Sequence, residues 1–360
     1  MTLFMKNILN KSMHKEIEFI SGFKFAEMSD IIFSGMFEKS QMDSLNLKHN
    51  IRENASEHLI TGRYIFVRTK NFELKENDII FTKTDFIYEL FSILKKQSNF
   101  KNIKLITHQS DMRVSKKMYE KKPQCISEWY SCNVDIKRED LIPIPLGLAN
   151  FHPKNLNENH FLNDINYSNY FGNKEKLLYI NFNPNTNFSH RKNIYTSFQG
   201  FEWADSDKTP ISLDGYKKRM SKYNFVLAPW GNGIDTHRFW EILYSGSIPV
   251  TKKHIIYESF QNIPKIQLNN YSQVTKNFLT ESIKVLDENK EKYSFEELDF
   301  KYWKNKIESN EINTTNLEPV LMQNYWYRYY GFITDFKYRL KSKFKLFNRI
   351  RRFAFKKLGI

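Results

Sequence analysis

Residues 224–250, NFVLAPWGNGIDTHRFWEILYSGSIPV, constrain the fold of this chain more tightly than any other segment. An apolar run closes at Pro229, a loop carrying Gly231 and Gly233 follows, and an amphipathic stretch begins at His237. That order reads as a buried strand, a turn and a helix. Gly246 stands where a helix C-terminus takes a left-handed residue, and Pro249 lies in the next apolar run, 248–251. Successive strands joined by a helix pair in parallel, because a parallel pair needs a crossover connection. The segment therefore commits the chain to an α/β architecture.

The same texture extends on both sides. Strands are expected at 64–68, 79–82, 104–107 and 141–146, with a helix over 85–96 that carries Phe86, Leu90, Ile93 and Leu94 at helical spacing. Residues 155–173 are polar, asparagine-rich and without period, and read as a linker or long surface loop. A second α/β series follows. It has strands at 177–182, 225–228, 248–251 and 263–268, a helix over 216–223 capped by Asp214, a helix over 237–245 and another over 272–288. The length of 360 residues suits two domains at roughly 100–200 residues each. They are expected at 1–165 and 166–320, with a tail at 321–360. Ligands of open α/β sheets sit at the carboxyl ends of the strands, so a cleft between the two sheets is expected.

Composition excludes several classes. Hydrophobic residues are 41% and aromatics 16%, too many for a disordered chain. Two cysteines, Cys125 and Cys132, lack a CxxC spacing and are too few for a disulfide framework, which points to a reducing compartment. No run reaches the roughly 18 apolar residues of a membrane span. Lys6, Lys11 and Lys15 break up the N-terminal apolar runs, so a signal peptide is not expected. The net charge of +15 is concentrated: ten basic residues lie between Lys337 and Lys357, and no acid follows Asp335. On a helical wheel Phe336, Leu340, Phe344, Phe347, Ile350, Ala354 and Leu358 share one face. A basic amphipathic helix over 336–358 that lies on an anionic membrane surface is the expectation. A terminal helix packed on the protein's own body is the alternative.

The chemistry converges on the segment first described. Gly231 and Gly233 let backbone amides approach a ligand, with Asn232 between them, and Asp235 closes the loop. The helix that follows offers an anion its N-terminal amides and dipole. His237 and Arg238 sit in its first turn, and the Arg238 guanidinium is a fork of donors suited to phosphate. Glu241, three residues on, can accept from sugar hydroxyls. A diphosphate joined to a ribose fits this arrangement, although Arg238 and Glu241 would also serve as a surface ion pair. Two glycine motifs are excluded: a dinucleotide fingerprint needs glycine where Thr236 stands, and a P-loop needs Gly-Lys-Ser/Thr.

With these residues the segment resembles the signature block of exostosin-like glycosyltransferases and their bacterial and viral relatives. The matching positions are Pro229, Gly231, Gly233, Asp235, Arg238, Trp240, Glu241, Gly246, Ile248, Pro249 and Val250; Ser247 stands where many relatives carry cysteine. Residues 181–191 (NFNPNTNFSHR) are similar to the first strand and loop of the same nucleotide-binding half, and Arg191 is the candidate basic residue there. Residues 107–111 (THQSD) and 143–147 (PIPLG) resemble strand ends of the other half. The likeness spans about residues 60–270 and is strong only at 224–250.

The resemblance implies a GT-B fold, two Rossmann-like α/β domains facing a cleft. It implies transfer of a sugar, with inversion, from a nucleotide-diphosphate sugar to a glycan or lipid-linked acceptor, in surface polysaccharide or lipopolysaccharide synthesis. Donor-binding candidates are Arg191, Gly231, Asn232, Gly233, Asp235, His237, Arg238 and Glu241. The acceptor hydroxyl needs a base from the N-terminal half; Asp111 is the first candidate, His108 the second and Asp85 the third. No cofactor and no metal are expected. Asp205-Ser206-Asp207 matches an Asp-x-Asp cation motif but reads as a solvated loop. A cytoplasmic enzyme peripheral at the membrane is the resulting picture. A nucleic-acid-binding protein using the basic tail, or an inactive transferase-like scaffold, is the alternative.

Overall fold

The computed structural model describes residues 14–324, apart from short stretches at 50, 52–54, 61–62, 98, 151–154, 162–163, 173, 208–210 and 310–316. The amphipathic segment expected at 336–358 lies outside the described residues.

Two sheets organise the chain. The first holds β1 (Ile31–Glu38), β2 (Ala55–Ile60), β3 (Tyr64–Thr69), β4 (Ile79–Lys83), β5 (Ile103–His108), β6 (Ile126–Ser131) and β7 (Leu141–Pro143), in the spatial order β2-β3-β1-β4-β5-β6-β7. The β2, β3 and β1 strands pair antiparallel at one edge, and β1, β4, β5, β6 and β7 pair in parallel. The second sheet is parallel throughout. It holds β8 (Lys176–Ile180), β9 (Ala204–Ser206), β10 (Tyr223–Leu227), β11 (Ile248–Lys252) and β12 (Ile266–Leu268), in the order β9-β8-β10-β11-β12. This is a mixed α/β architecture with parallel-strand sheets, compatible with a Rossmann-like fold. Every residue of β5 and of β10 is buried, as expected of parallel strands covered on both faces.

Six helices matter for the site: α1 (Gly22–Met28), α2 (Ile87–Leu94), α3 (Phe188–Ser197), α4 (Leu213–Met220), α5 (His237–Tyr244) and α6 (Phe300–Glu308). The α2 helix crosses from β4 to β5, which pair in parallel, as its apolar spacing predicts. In α5 the side chains of Phe239, Trp240, Ile242 and Leu243 are fully buried. Its C-terminus is closed by Gly246 at φ +73°, with the Gly246 amide donating to Leu243 and the Ser247 amide to Ile242. Those two bonds are a Schellman motif, the left-handed ending expected at Gly246.

Three expectations need correction. Ser212, not Asp214, caps α4: its hydroxyl accepts from the Gly215 amide, and Asp214 falls in the first turn, where a negative charge suits the helix dipole. The described residues of 155–173 are not a surface loop, since Leu156, Phe161, Ile165 and Tyr170 are buried in the core. They enter it through aromatic contacts such as Phe161 with Phe19 and Tyr170 with Phe295, which follow no period. Residues 321–323, assigned above to the tail, belong to a strand (Val320–Gln323) that pairs antiparallel with Asn71–Leu74.

The end of the described chain returns to the first sheet. Phe300 meets Phe25 of α1 edge to face at 5.3 Å, the Phe300 amide donates to the Glu18 carbonyl, and the Lys104 ammonium of β5 donates to the Ile307 carbonyl of α6. The helix Phe300–Glu308, grouped above with the second series, thus packs on the first. Among the described residues no helix is long and apolar enough to cross a membrane.

Gly147, just after β7, has φ +66°, and a Cβ there would stand 2.2 Å from the Ile20 carbonyl oxygen. Gly200 also has a positive φ, +86°, but open space around it. Gly147→Ala is expected to destabilise the fold by more than about 2 kcal/mol, and Gly200→Ala by about 1 kcal/mol, the backbone cost alone. Denaturant unfolding of both variants checks this, and equal losses would contradict the packing described.

Candidate functional site

A cavity of about 1290 Å³ lies at the carboxyl ends of strands from both sheets. In the second sheet β8 is flanked by β9 and β10, so the strand order reverses between β8 and β10, the point where open α/β sheets hold ligands. Asn181 and Asn183, after β8, and Gly231, after β10, line the cavity there. The first sheet contributes Lys83 at the end of β4 with Asp85 beyond it, His108 at the end of β5 with residues 109–112 beyond it, and Leu146, Leu148, Ala149 and Asn150 after β7. His108, Asp111, Arg191, Gly231, Asn232, Gly233, Asp235, His237, Arg238 and Glu241, singled out from the sequence, all line this cavity.

The glycine loop is held from the other sheet. Asn133, after β6, takes φ +58°, and its side-chain oxygen accepts from the amides of Ile234 at 2.8 Å and Asp235 at 2.9 Å. Its side-chain nitrogen donates to the Ser110 carbonyl. A Cβ on Gly233 would come within 3.0 Å of that amide group, so the loop passes close because the residue is glycine. Asp235 is 1% exposed, and its carboxylate accepts from the Leu146 amide, the Thr236 amide and the Trp240 indole. Burial pushes its pKa up to about 7. With its oxygens so engaged, Asp235 joins β7's loop to the start of α5.

The cationic wall is made by two guanidinium groups. Arg191, in the first turn of α3, is buried and donates to the backbone carbonyls of Trp230 and Pro229 at 2.8 Å each and of Asn183 at 3.3 Å. Burial and the nearby Arg238 charge lower its pKa to about 10. Arg238 donates to the Tyr216 hydroxyl and stacks over that ring, 5.2 Å from its centroid. Among the described ion pairs neither arginine has a carboxylate partner. Two neighbouring positive charges in a concave site, with no salt-bridged carboxylate among the described residues, form a place where an anion is stabilised. The helix start adds to this: Thr236, the N-cap of α5, makes no capping bond, and its hydroxyl is buried without a partner among the described residues.

Glu241 behaves differently from the expectation. It hydrogen-bonds the Tyr216 hydroxyl and the Leu156 amide, so it braces Arg238 through Tyr216 and ties residues 155–172 to α5 instead of standing free for a ribose. Burial pushes it up to about 7, against the opposing pull of Arg238.

The opposite wall carries the candidate bases. His108 is buried with both ring nitrogens occupied: Nε2 lies 3.1 Å from the Pro145 carbonyl and Nδ1 accepts from the Gln109 amide at 2.8 Å. A Cβ on Gly22 would fall 2.7 Å from that Nδ1, so α1 is packed directly on the ring. Burial drops its pKa to about 4. His108 is therefore a neutral packing residue, not a proton acceptor. Asp85 is ion-paired with Lys83 and hydrogen-bonded to Ser110. Asp111 is exposed, and its carboxylate accepts no hydrogen bond among the described residues. His237 lies opposite Arg238 in direction: its Nδ1 is 2.7 Å from the Gly147 carbonyl.

The Asp-x-Asp motif is a further correction. Ala204–Ser206 is the edge strand β9; Asp205 accepts from Lys176 and from the Tyr223 hydroxyl, and Asp207 from Tyr179 and Arg219. Those carboxylates hold the sheet edge. Among the described residues no group of His, Cys, Asp and Glu could hold a metal ion.

The sequence reading did not single out Asn133, Gly147 or Tyr216. Asn133 follows Ile126–Ser131, a strand whose Ser127, Glu128 and Ser131 interrupt its apolar residues, so no apolar run marked it. Compared with known proteins, the chain matches no protein-family model, and no curated protein matches it.

Glu241 supplies a pH prediction. As pH rises from about 4.5 to 7 the unfolded chain releases this proton while the folded protein keeps it, so stability attributable to Glu241 falls across that window and levels off above it. Glu241→Gln removes the dependence. The wild type should lose stability relative to the variant by on the order of 1–3 kcal/mol between pH 4.5 and 7.5. Denaturant unfolding of both proteins across the range measures the difference, and a constant offset would contradict the burial described.

Proposed function

We propose that this protein is a glycosyltransferase that moves a sugar from a nucleotide-diphosphate donor to a hydroxyl of a glycan or glycolipid. Two Rossmann-like units arranged as in the GT-B fold, with the sheets facing across the cavity, are part of this reading. The observation that carries it is the pair Arg191 and Arg238, with no carboxylate partner among the described ion pairs, beside the N-terminus of α5. A diphosphate leaving group develops negative charge as the sugar departs, and prearranged donors aimed at that charge lower the barrier.

The cavity supports the reading by size and lining. Its volume exceeds the roughly 300–1,000 Å³ of sites for single small ligands, leaving room for donor and acceptor together. Asn150, Asn155, Asn181, Asn183, Asn185 and Gln109 line it with neutral amides, each both donor and acceptor, the groups that recognise sugar hydroxyls. The resemblance of residues 224–250 to exostosin-like transferases agrees in the same positions. It adds inversion, a role in surface polysaccharide or lipopolysaccharide synthesis, and a peripheral place on the cytoplasmic face of a membrane, reached through residues 336–358.

Charge neutralisation is assigned to Arg191, Arg238 and the α5 amides, with no metal. The experiment is a thermal-shift series with UDP, GDP and ADP, and with CMP as control. At about a hundredfold excess over Kd a bound diphosphate stabilises by about 2.7 kcal/mol, and the preferred base gives the largest rise in Tm. Arg238→Ala should abolish the rise. Failure of all three diphosphates to shift the wild type would refute the reading.

A further inference from the structure

We propose that His237 is the group that takes the proton from the acceptor hydroxyl, with Asp111 stabilising the imidazolium that results. This deepens the transferase reading and rests on it. His237 was expected only among the donor-binding residues; the arrangement of its ring nitrogens gives it a different role.

The first observation is the fixed tautomer. The Gly147 carbonyl 2.7 Å from Nδ1 can only accept, so Nδ1 carries the hydrogen and Nε2 is left with a free lone pair. That carbonyl is itself fixed. Gly147 is pressed against Ile20, and the next amide, of Leu148, donates to the Ile20 carbonyl at 2.7 Å. An imidazole held at one nitrogen by a rigid acceptor, with the other facing a cavity, is the arrangement of a general base.

The second observation is the set of neighbours. Burial lowers the proton affinity of His237 and the Asp111 carboxylate raises it. His108, at the end of β5, is held neutral and contributes no full charge. On its own segment His237 is flanked by Arg238 and follows Asp235, whose carboxylate is spent on three donors. The other candidate bases are engaged: His108 at both nitrogens and Asp85 by Lys83. Among the described residues lining the cavity, Asp111 is the carboxylate left to face a developing imidazolium.

The third observation is direction. His237 and Arg238 are consecutive, yet His237 reaches Gly147, beyond β7 of the first sheet, while Arg238 reaches Tyr216 on α4, against the second. Proton acceptor and leaving-group cation thus sit on different sides of the cavity, as an in-line displacement requires. In the step the acceptor oxygen bonds to the anomeric carbon as its proton passes to Nε2. The bond from that carbon to the diphosphate oxygen breaks, and its electron pair leaves on the diphosphate beside Arg191 and Arg238.

The test uses the nucleotide sugar whose diphosphate gives the largest thermal shift, followed by its transfer to water or to an added glycan. His237→Asn keeps a side-chain N–H for the Gly147 carbonyl and has no basic nitrogen. Its rate should fall at least about a hundredfold, with diphosphate affinity within about twofold of wild type and the acidic limb of the pH–rate profile gone. Asp111→Asn should keep that limb, moved to lower pH, and lose about tenfold or less. A normal rate and limb in His237→Asn, or a collapse confined to Asp111→Asn, would overturn the proposal in favour of a carboxylate base. Nitrogen-15 NMR of the wild-type imidazole needs no turnover, and a neutral ring protonated at Nε2 would also overturn it. A wild type that binds no diphosphate would instead remove the transferase reading beneath it.

Discussion

The site depends on one buried carboxylate. Asp235 gathers the Leu146 amide from beyond β7, the first amide before α5 and the indole of a core tryptophan onto two oxygens. One donor comes from the loop after β7 and the other two from α5 and its N-cap, so the position of α5 relative to the first sheet is set at this point. Asn133 repeats the device one residue earlier, receiving the amides of Ile234 and Asp235. A buried carboxylate is costly unless it is hydrogen-bonded, and here the hydrogen bonds double as the joint between the loops of the two sheets.

From that joint follows the electrostatic character of the cavity. With the start of α5 fixed, Arg238 projects towards Tyr216 and His237 towards Gly147. Arg191 arrives independently, from the first turn of α3, and is held by three carbonyls. Backbone carbonyls orient a guanidinium without cancelling its charge, so Arg191 remains a full cation in a recessed site. Of the acids lining the cavity, Asp235 is occupied by amides, Glu241 by Tyr216 and Leu156, and Asp85 by Lys83, while Asp111 is exposed and accepts no hydrogen bond among the described residues. The cavity thus has two guanidinium groups on one wall and, on the other, neutral polar groups together with the Lys83–Asp85 pair and the Asp111 carboxylate.

Much of this was legible in the sequence where a local cause sufficed. Strands buried on both faces, such as β5 and β10, read as apolar runs, and Gly246 marked the end of α5 because a left-handed residue is needed there. The residues named for the site share one cavity because strand ends and helix starts are where α/β topology collects them. What the sequence did not disclose was partnership. Asn133 and Asp235 are about a hundred positions apart, and no local rule joins His237 to Gly147 or Arg238 to Tyr216. For the same reason residues 155–172 read as a loop: Leu156 and Phe161 are buried by tertiary contacts with no periodic signature. His108 looked available as a base until its nitrogens were found to be taken.

The central claim is that Arg191, Arg238 and the first turn of α5 together hold a diphosphate. A crystal structure of the protein with a nucleoside diphosphate tests it most directly. The account predicts phosphate oxygens within hydrogen-bond distance of both guanidinium groups and of the α5 amides, with the nucleoside extending along the ends of β8 and β10. A diphosphate bound away from both arginines, or bound only by the loops of the first sheet, would contradict it.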